Sequence, residues 1–357
     1  MIVNTFYYSN SDTCGISIFN GHLRRALSRI GVNVLDTNLR TAERIVRTPI
    51  GILHYVPGSY SSRKASNALI ELLAALHDSQ RLFVILHGLH SYGESRFPDG
   101  NTYPQREEHV RLVLQRAEAI IALSGSVARA YHTWRVRLGG PAMPIRLEHP
   151  GLFEPIVNRA ADSGYALVGG ISRTKKVYAA PGTSALFDAC RRQDIRVWEH
   201  WSNVLPGANL QRSWRQTFGL VNDFAWSTLV SNARVVLCPY QTQVQSVSGL
   251  ISEALSAGRC VLTTSFDLAL EMRERYPALV FVEDDLKEWP YMINHLQSTS
   301  GINCTVPGWR LFASAVTSEI YSRRSLRGRE EQRVPVLNRW RVRASTVQSG
   351  NSLEVTK

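Results

Sequence analysis

The sequence lacks the local patterns that mark disulfide-rich, zinc-binding and membrane-spanning proteins. Its five cysteines are odd in number and scattered, and they form no C-x-x-C pair, which argues against a disulfide framework and a zinc site. No apolar run approaches the roughly 20 residues that a membrane-spanning helix needs. Residues 1–8 have no basic segment and no long apolar stretch, so they predict a first β-strand and a cytoplasmic protein. The absence of a G-x-G-x-x-G fingerprint argues against a dinucleotide cofactor.

The charge of the chain is positive and unevenly placed. The formal net charge is +12, and residues 323–357 hold nine basic residues against three acidic ones, so this segment carries half of the excess. A basic tail of this kind either contacts an anionic surface, such as lipid headgroups or nucleic acid, or forms a solvated and partly disordered extension. Charge alone does not decide between these two interpretations.

Length and hydrophobic patterning predict two α/β domains. At 357 residues the chain exceeds one ordinary domain, and a hydrophobic fraction of 44% lets each half bury a core. Short β-branched or aromatic runs alternate with segments of helical apolar spacing, which predicts parallel sheets flanked by helices. We expect a first Rossmann-like domain over 1–150, a linker over 151–164, a second Rossmann-like domain over 165–322 and a basic, partly disordered tail over 323–357. The cleft between the two sheets is the expected site.

The most informative motif begins at Gln245, after a predicted buried strand of the second half. A helix is expected to start near Ser248, a residue type favoured at N-caps, and its free N–H groups and positive dipole end suit a diphosphate. Ser246 and Ser248 add hydroxyl donors, and Gly249 permits close approach of a ligand. Glu253 is placed to accept hydrogen bonds from the vicinal hydroxyls of a ribose. The alternative interpretation is an ordinary capped helix with a surface glutamate.

Three other predicted strand ends carry candidate residues. One strand ends in two glycines and is followed by a basic cluster of Arg173, Lys175 and Lys176. The turn after the first strand contains Gly15, and His87 ends a buried strand of the first half. Taken alone, each has an ordinary structural interpretation as a solvated turn, a strand–helix turn or a structural histidine.

Taken together, these segments resemble glycosyltransferase family 4. The resemblance rests on residues 233–240, on the stretch that follows to 266–271, on the glycine turn and the basic cluster, and on the pre-linker segment 148–151. It extends in order over residues 1–322. It implies a GT-B fold, in which two Rossmann-like domains face each other across a cleft, a nucleotide-sugar donor, and retention of the anomeric configuration.

The resemblance also implies roles for the candidate residues. Arg173 and Lys176, the latter chosen over Lys175 by its spacing, would hold the donor diphosphate. There they would stabilise the negative charge that develops as the sugar leaves. His87 would lie near the donor sugar, and Gly15 would let the backbone approach the donor or the acceptor. The segment 148–151 would act as a hinge.

One position departs from the family pattern. Many members carry a Glu-x7-Glu motif whose second glutamate matches Glu253, but the first position of the motif is Gln245 in this chain. In the family that first carboxylate contacts the donor sugar. An amide still donates and accepts hydrogen bonds but supplies no negative charge, so the identity of the sugar is not predicted. Glu271 is a secondary candidate that the resemblance places beside the donor, with an ordinary helix-start glutamate as its alternative.

No metal and no bound cofactor is expected. The acidic run at 283–285 precedes a helix predicted over 286–297, and we expect it to cap that helix rather than to bind a metal. The resemblance implies that basic residues and a helix terminus do the work that a metal does in other transferases.

Three hypotheses follow. The first is a metal-independent, hexosyltransferase-like enzyme that moves a sugar from a nucleotide-sugar donor to a hydroxyl acceptor, which is a saccharide, a lipid-linked glycan or a nucleic acid. The second keeps the fold but makes the chain a nucleotide-sugar epimerase, which releases no glycoside. The third is a degenerate, non-catalytic transferase that binds nucleic acid or an anionic membrane, with contact through the basic tail at 323–357.

Overall fold

A computed structural model gives the architecture of most of the chain. It describes residues 1–9, 14–60, 62–76, 80–90, 104–141, 143–154, 164–170, 182–201, 215–218, 221–240, 247–296 and 305–331. Five of the predicted site residues lie in these ranges: Gly15, His87, Ser248, Gly249 and Glu253. Four lie outside the described residues: Arg173, Lys176, Gln245 and Ser246.

The first half of the chain alternates strands and helices much as its hydrophobic pattern predicts. In order, its elements are β1 (Ile2–Tyr7), α1 (Gly15–Arg29), β2 (Asn33–Asn38), β3 (Ile50–Tyr55), a 3-10 turn (Pro57–Tyr60), α2 (Arg63–Ala75), β4 (Arg81–Leu86), α3 (Pro104–Arg116), β5 (Ala119–Ala122), α4 (Gly125–Leu138) and β6 (Ile145–Arg146). All six residues of β3 are buried, as expected for a central strand of a parallel sheet.

The second half repeats the alternation. Its described elements are β7 (Tyr165–Gly170), α5 (Thr183–Arg192), β8 (Arg196–Trp201), β9 (Arg215–Phe218), α6 (Asp223–Asn232), β10 (Val235–Cys238), α7 (Gly249–Ser256), β11 (Cys260–Thr263), α8 (Asp267–Arg275), β12 (Val280–Val282), α9 (Trp289–His295) and α10 (Trp309–Glu331). β9 has no counterpart among the predicted strands, because its sequence Arg-Gln-Thr-Phe carries no apolar run and it lies at the edge of its sheet.

Each half contributes one sheet, and the described strand pairs are parallel. The first sheet has the order β2-β1-β3-β4-β5-β6, and the second has the order β12-β11-β10-β7-β8-β9. In each sheet the chain returns past its first strand, so the strand order reverses between β1 and β3 and between β7 and β10. Ligands of open α/β sheets bind beyond the carboxyl ends of the strands at such reversal points.

Each sheet has its own buried hydrophobic cluster. β3, β4 and β5 contribute to the first cluster, and β7, β10 and β11 contribute to the second. Val247, two residues before the first residue of α7, packs against both clusters. The chain segment that enters α7 therefore lies where the two halves meet.

The acidic run at 283–285 does not cap a helix, which corrects the sequence-based expectation. Asp285 accepts a hydrogen bond from the Lys287 backbone N–H at 3.0 Å, and Glu283 accepts one from the Asp285 N–H at 2.8 Å, so the run forms its own turn. The Asp284 carboxylate instead accepts hydrogen bonds from the backbone N–H and the hydroxyl of Ser265. The following helix, α9, begins only at Trp289.

The two sheets lie in one compact unit, Met1–Ala315, and a second unit, Val316–Lys357, begins inside α10. This helix continues to Glu331. The predicted domain boundaries, including the one at residue 322, stay predictions. Of the helices that the structure describes, none combines the length and the hydropathy required to cross a bilayer.

Candidate active site

The start of α7 lies at the strand-order reversal of the second sheet. The loop that leads to it follows β10, whose neighbour β7 precedes the chain segment that contains Arg173 and Lys176. Because β7 and β10 are parallel neighbours, their carboxyl ends share one edge of the sheet. In the sequence, the segment that leads to α7 and the segment that contains Arg173 and Lys176 therefore follow two adjacent strand ends.

Ser248 is the N-cap residue of α7, as predicted, but its side chain does not cap the helix. Its backbone is extended, with φ −133° and ψ 112°, and its hydroxyl lies 2.9 Å from the Tyr240 hydroxyl. Tyr240 follows the end of β10 by two residues and is buried. The Ser248 hydroxyl is therefore committed to anchoring the entry of the helix, and the first-turn N–H groups of α7 receive no cap from it.

Gly249, the first residue of α7, lies against the imidazole of His149. A Cβ atom at Gly249 would stand 3.0 Å from His149 Cε1 and 3.1 Å from His149 Nε2, so glycine is what permits this approach. His149 Nδ1 lies 2.8 Å from the Pro150 carbonyl and donates to it, which leaves a lone pair on Nε2. Burial lowers the pKa of His149 to about 4, so the ring beside the helix start is neutral at physiological pH.

Glu253 lies one turn further along α7 and is partly buried. Its Oε2 accepts a hydrogen bond from the Trp226 indole N–H at 3.0 Å. Burial raises the pKa of Glu253 to about 7; the Trp226 hydrogen bond opposes this rise and the charge of Asp223 adds to it. With a pKa near 7, the Glu253 carboxyl group gains or loses its proton near neutral pH.

His87 follows the end of β4, where its backbone N–H donates to the Tyr55 carbonyl at 3.1 Å. Its Nε2 lies 2.9 Å from Nδ1 of His54, a buried residue of β3. Phe19 of α1 meets the His87 ring edge-on, with the ring centroids 4.6 Å apart. Gly15 is the first residue of the same helix, one turn before Phe19.

Phe19 connects the two predicted sites. Its ring contacts the rings of both His87 and His149, and the centroids of Phe19 and His149 are 5.1 Å apart. His149 in turn packs on Gly249. A continuous series of contacts thus runs from the carboxyl edge of the first sheet to the start of α7, so residues of both predicted domains meet here.

Sequence reasoning missed several of the residues that meet here. His54, Trp226 and Tyr240 were not singled out, and His149 was assigned only to a hinge segment. The sequence could have indicated His54, because polar residues are rare in a fully buried strand such as β3. The contact of His149 with Gly249 had no local signal, because 100 residues separate the two positions.

Glu271 does not start a helix, and its carboxylate faces the first half of the chain. It lies within α8 and accepts the backbone N–H groups of Gly125 and Ser126, each at 3.0 Å, and it pairs with Arg146. It therefore caps the N-terminus of α4 from another element. This carboxylate holds the two halves together.

A second ionic contact also joins the halves. Asp223 accepts from His22 Nε2 at 2.9 Å and pairs with Arg25 at 2.6 Å, both of which belong to α1. Burial alone raises the pKa of Asp223, but the hydrogen bonds from His22 and Arg25 outweigh it and lower the pKa to about 2. These contacts keep the start of α6 beside α1.

Comparisons with known proteins give the fold. No family model and no curated protein sequence matches the chain. Anabaena HepE in complex with UDP-glucose aligns over 91% of this chain and 99% of its own at 14% identity, with a TM-score of 0.57. An α-glucosyltransferase in complex with UDP and a 13-mer DNA containing a HMU base aligns over 84% of this chain and 91% of its own at 14% identity, with a TM-score of 0.54. Likeness at this level of identity establishes architecture, and the chain has the GT-B fold predicted from its sequence.

Proposed function

We propose that this chain is a glycosyltransferase that moves a sugar from a nucleotide-sugar donor to a hydroxyl acceptor with retention of the anomeric configuration. One observation carries the proposal. The start of α7, which is suited to bind a diphosphate, contacts His149, and His149 is linked through Phe19 to His87. A donor bound at the helix start would therefore meet groups from the opposite sheet. The two structural neighbours, described as complexes with UDP-glucose and with UDP and DNA, support this interpretation.

In the proposed reaction the donor lies on the second half. Its diphosphate would bind the N–H groups at the start of α7, together with Arg173 and Lys176, and Glu253 would accept the ribose hydroxyls. The bond between the sugar C1 and the phosphate oxygen breaks, and a bond from C1 to the acceptor oxygen forms on the same face. The acceptor proton passes to the departing phosphate, so no protein base is required. Cations and the helix terminus would stabilise the developing charge without a metal.

The remaining predicted residues complete the site in this proposal. Gln245 and Ser246 precede the helix start and would donate to oxygens of the sugar and the diphosphate. His87 and Gly15 lie at the carboxyl edge of the first sheet, where the acceptor and the sugar would meet. The amide at position 245 would contact the sugar without adding a negative charge.

The distribution of charge favours an anionic acceptor. Residues 1–150 hold 17 basic and 11 acidic side chains, and residues 323–357 hold nine basic and three acidic ones. Residues 151–322, which include the proposed donor site, hold 15 of each and are neutral. The excess of positive charge therefore lies in sequence segments other than 151–322, as expected if the acceptor is a nucleic acid or an anionic lipid-linked glycan.

The decisive experiment is a thermal-shift screen against UDP-, GDP-, ADP- and dTDP-sugars, followed by product analysis. A donor present at 100 times its Kd stabilises the folded state by about 2.7 kcal/mol, so a true donor is readily seen. Acceptor-dependent release of the nucleoside diphosphate supports transfer. Conversion to another nucleotide sugar without acceptor indicates an epimerase. Failure of every nucleotide sugar to stabilise the protein, with salt-dependent retention on DNA or acidic vesicles, indicates the non-catalytic alternative.

Substituting Gly249 tests the helix start directly. In Gly249→Ala the added Cβ would stand only 3.0 Å from the His149 ring, so the ring is expected to move. Donor binding should weaken by about tenfold, or about 1.4 kcal/mol. Isothermal titration with the donor measures the change. The matched control is Gly21→Ala in α1, where an added Cβ meets no atom within 4 Å. Equal donor affinity in the two variants would contradict the proposed donor position.

Glu253 gives a prediction about pH. The folded-state pKa of about 7 exceeds the usual 4.5, so the folded protein holds a proton that the unfolded chain releases between these values. The free energy of unfolding should therefore increase as the pH falls below about 7. This increase should be complete near pH 4.5. Glu253→Gln, which removes the buried charge, should raise the melting temperature at pH 8 and bring little change at pH 5.

The same substitution should weaken donor binding at pH 8, because an amide offers one acceptor oxygen where a carboxylate offers two. Glu274→Gln on the exposed face of α8 is the matched control and should change neither property. A Glu253→Gln variant that gains stability yet binds the donor as well as the wild type would remove Glu253 from the site.

A further inference from the structure

A pair of histidines lies beneath the proposed acceptor edge of the first sheet. His54, on β3, is 1% exposed, and its Nδ1 lies 2.9 Å from Nε2 of His87. Its other ring nitrogen, Nε2, is buried and has no hydrogen-bond partner among the described residues. Phe19 meets both rings edge-on, with centroid distances of 5.7 Å to His54 and 4.6 Å to His87.

The unpartnered nitrogen decides which histidine donates. Burial lowers the pKa of His54 to about 3, so its ring is neutral and carries one N–H. If His87 Nε2 donated, His54 would have to carry its hydrogen on Nε2, where a buried N–H would meet no acceptor among the described residues. If His54 Nδ1 donates, Nε2 holds only a lone pair. Buried orphan N–H groups are rarer than under-satisfied acceptors, so the second arrangement is favoured.

We propose that His54 is a positioning residue that donates from Nδ1 to His87 Nε2 and thereby fixes the neutral His87 ring with its hydrogen on Nδ1. Any group that the Nδ1 atom meets must then be a hydrogen-bond acceptor, such as an oxygen of the sugar or of the acceptor. With Nε2 occupied by His54, the neutral His87 ring cannot take up the acceptor proton. This consequence rests on the proposed function, which transfers that proton to the departing phosphate.

The tautomer can be measured without any activity. Nitrogen-15 NMR of histidine-labelled protein, assigned with His87 and His54 variants, distinguishes a protonated Nδ1 from a protonated Nε2. We expect wild-type His87 to carry its hydrogen on Nδ1. His54→Asn, whose amide N–H replaces the Nδ1 donor, should keep this state, and His54→Phe should lose it. A wild-type His87 protonated on Nε2, or an unchanged tautomer in His54→Phe, would overturn the proposal.

Kinetics then separates positioning from a purely structural role. In His54→Phe, kcat for transfer should fall about tenfold with little change in the donor KM, because orientation is lost while the donor site on α7 is intact. His54→Asn should recover most of the rate. His109→Asn is the matched control, since His109 is also buried in the first half but pairs with Ser66, 2.6 Å away. Equal loss in His54→Asn and His54→Phe, at equal melting temperatures, would overturn the role in catalysis.

The two failures are distinguishable. If the chain binds no nucleotide sugar, the proposed function fails, whereas the NMR experiment still decides the hydrogen bond between the two histidines. If the chain transfers sugar but His87 has the opposite tautomer, only the positioning role fails.

Discussion

Replacing Arg173 with alanine is expected to lower the rate of sugar transfer by about 100-fold or more, the loss seen when one donor to a developing anion is removed. Arg173 follows the end of β7 by three residues, and β7 is the parallel neighbour of β10, which leads into α7. A planar guanidinium binds a phosphate through two N–H groups at once. Its charge acts most strongly when the diphosphate departs, so kcat should fall more than donor affinity.

The adjacent lysines provide the matched comparison for this experiment. Lys176→Ala should lower kcat strongly, whereas Lys175→Ala, which removes the same charge one position earlier, should change it only a few-fold. Both lysines follow the same strand, so the pair separates a specific contact from the general effect of positive charge. Initial rates and donor titration measure both effects. If Arg173→Ala and Glu253→Ala both left transfer untouched, the site assignment would be wrong.

Gly151→Ala is expected to lower the free energy of unfolding by about 3 kcal/mol or more, the upper range for overpacking a tight site. A Cβ at Gly151 would stand 2.2 Å from the Ser256 Cβ and 2.4 Å from its Oγ. The backbone of Gly151 cannot move away easily, because both its N–H and its carbonyl are hydrogen-bonded. Its N–H donates to the Pro307 carbonyl at 3.1 Å, and its carbonyl accepts from the Trp309 indole at 2.9 Å.

Two substitutions of Ser256 identify the cause. Ser256→Gly removes both atoms of the clash, so Gly151→Ala combined with Ser256→Gly should be more stable than Gly151→Ala alone. Ser256→Ala keeps the Cβ and should give no such rescue, although both changes remove the hydroxyl that accepts the Leu152 N–H at 2.9 Å. Denaturant unfolding of the four-member cycle gives the coupling energy. A Gly151→Ala protein as stable as the wild type would show that the chain after β6 does not rest on α7 as described.

Local signals explain what could be predicted in the second half of the site. The start of α7 at Gly249 was predicted to within one residue, because a serine N-cap and a glycine stop bracket a short apolar helix. The strand before it was equally readable from its apolar run. The function of the Ser248 hydroxyl was not readable, because its partner Tyr240 could equally have been placed on the other face of the strand end.

The sequence by itself determined the alternation of strands and helices, the two-sheet architecture and the residue types at the strand ends, because backbone periodicity and capping depend on neighbours within a turn or two. Only the tertiary structure decided that His149 rests on Gly249, that Glu271 caps α4 and that His54 holds His87. Those pairs are 33 to 146 residues apart, so their meeting depends on how strands order in a sheet and how one sheet packs on the next. No local pattern records that packing, since it arises from the burial of whole faces.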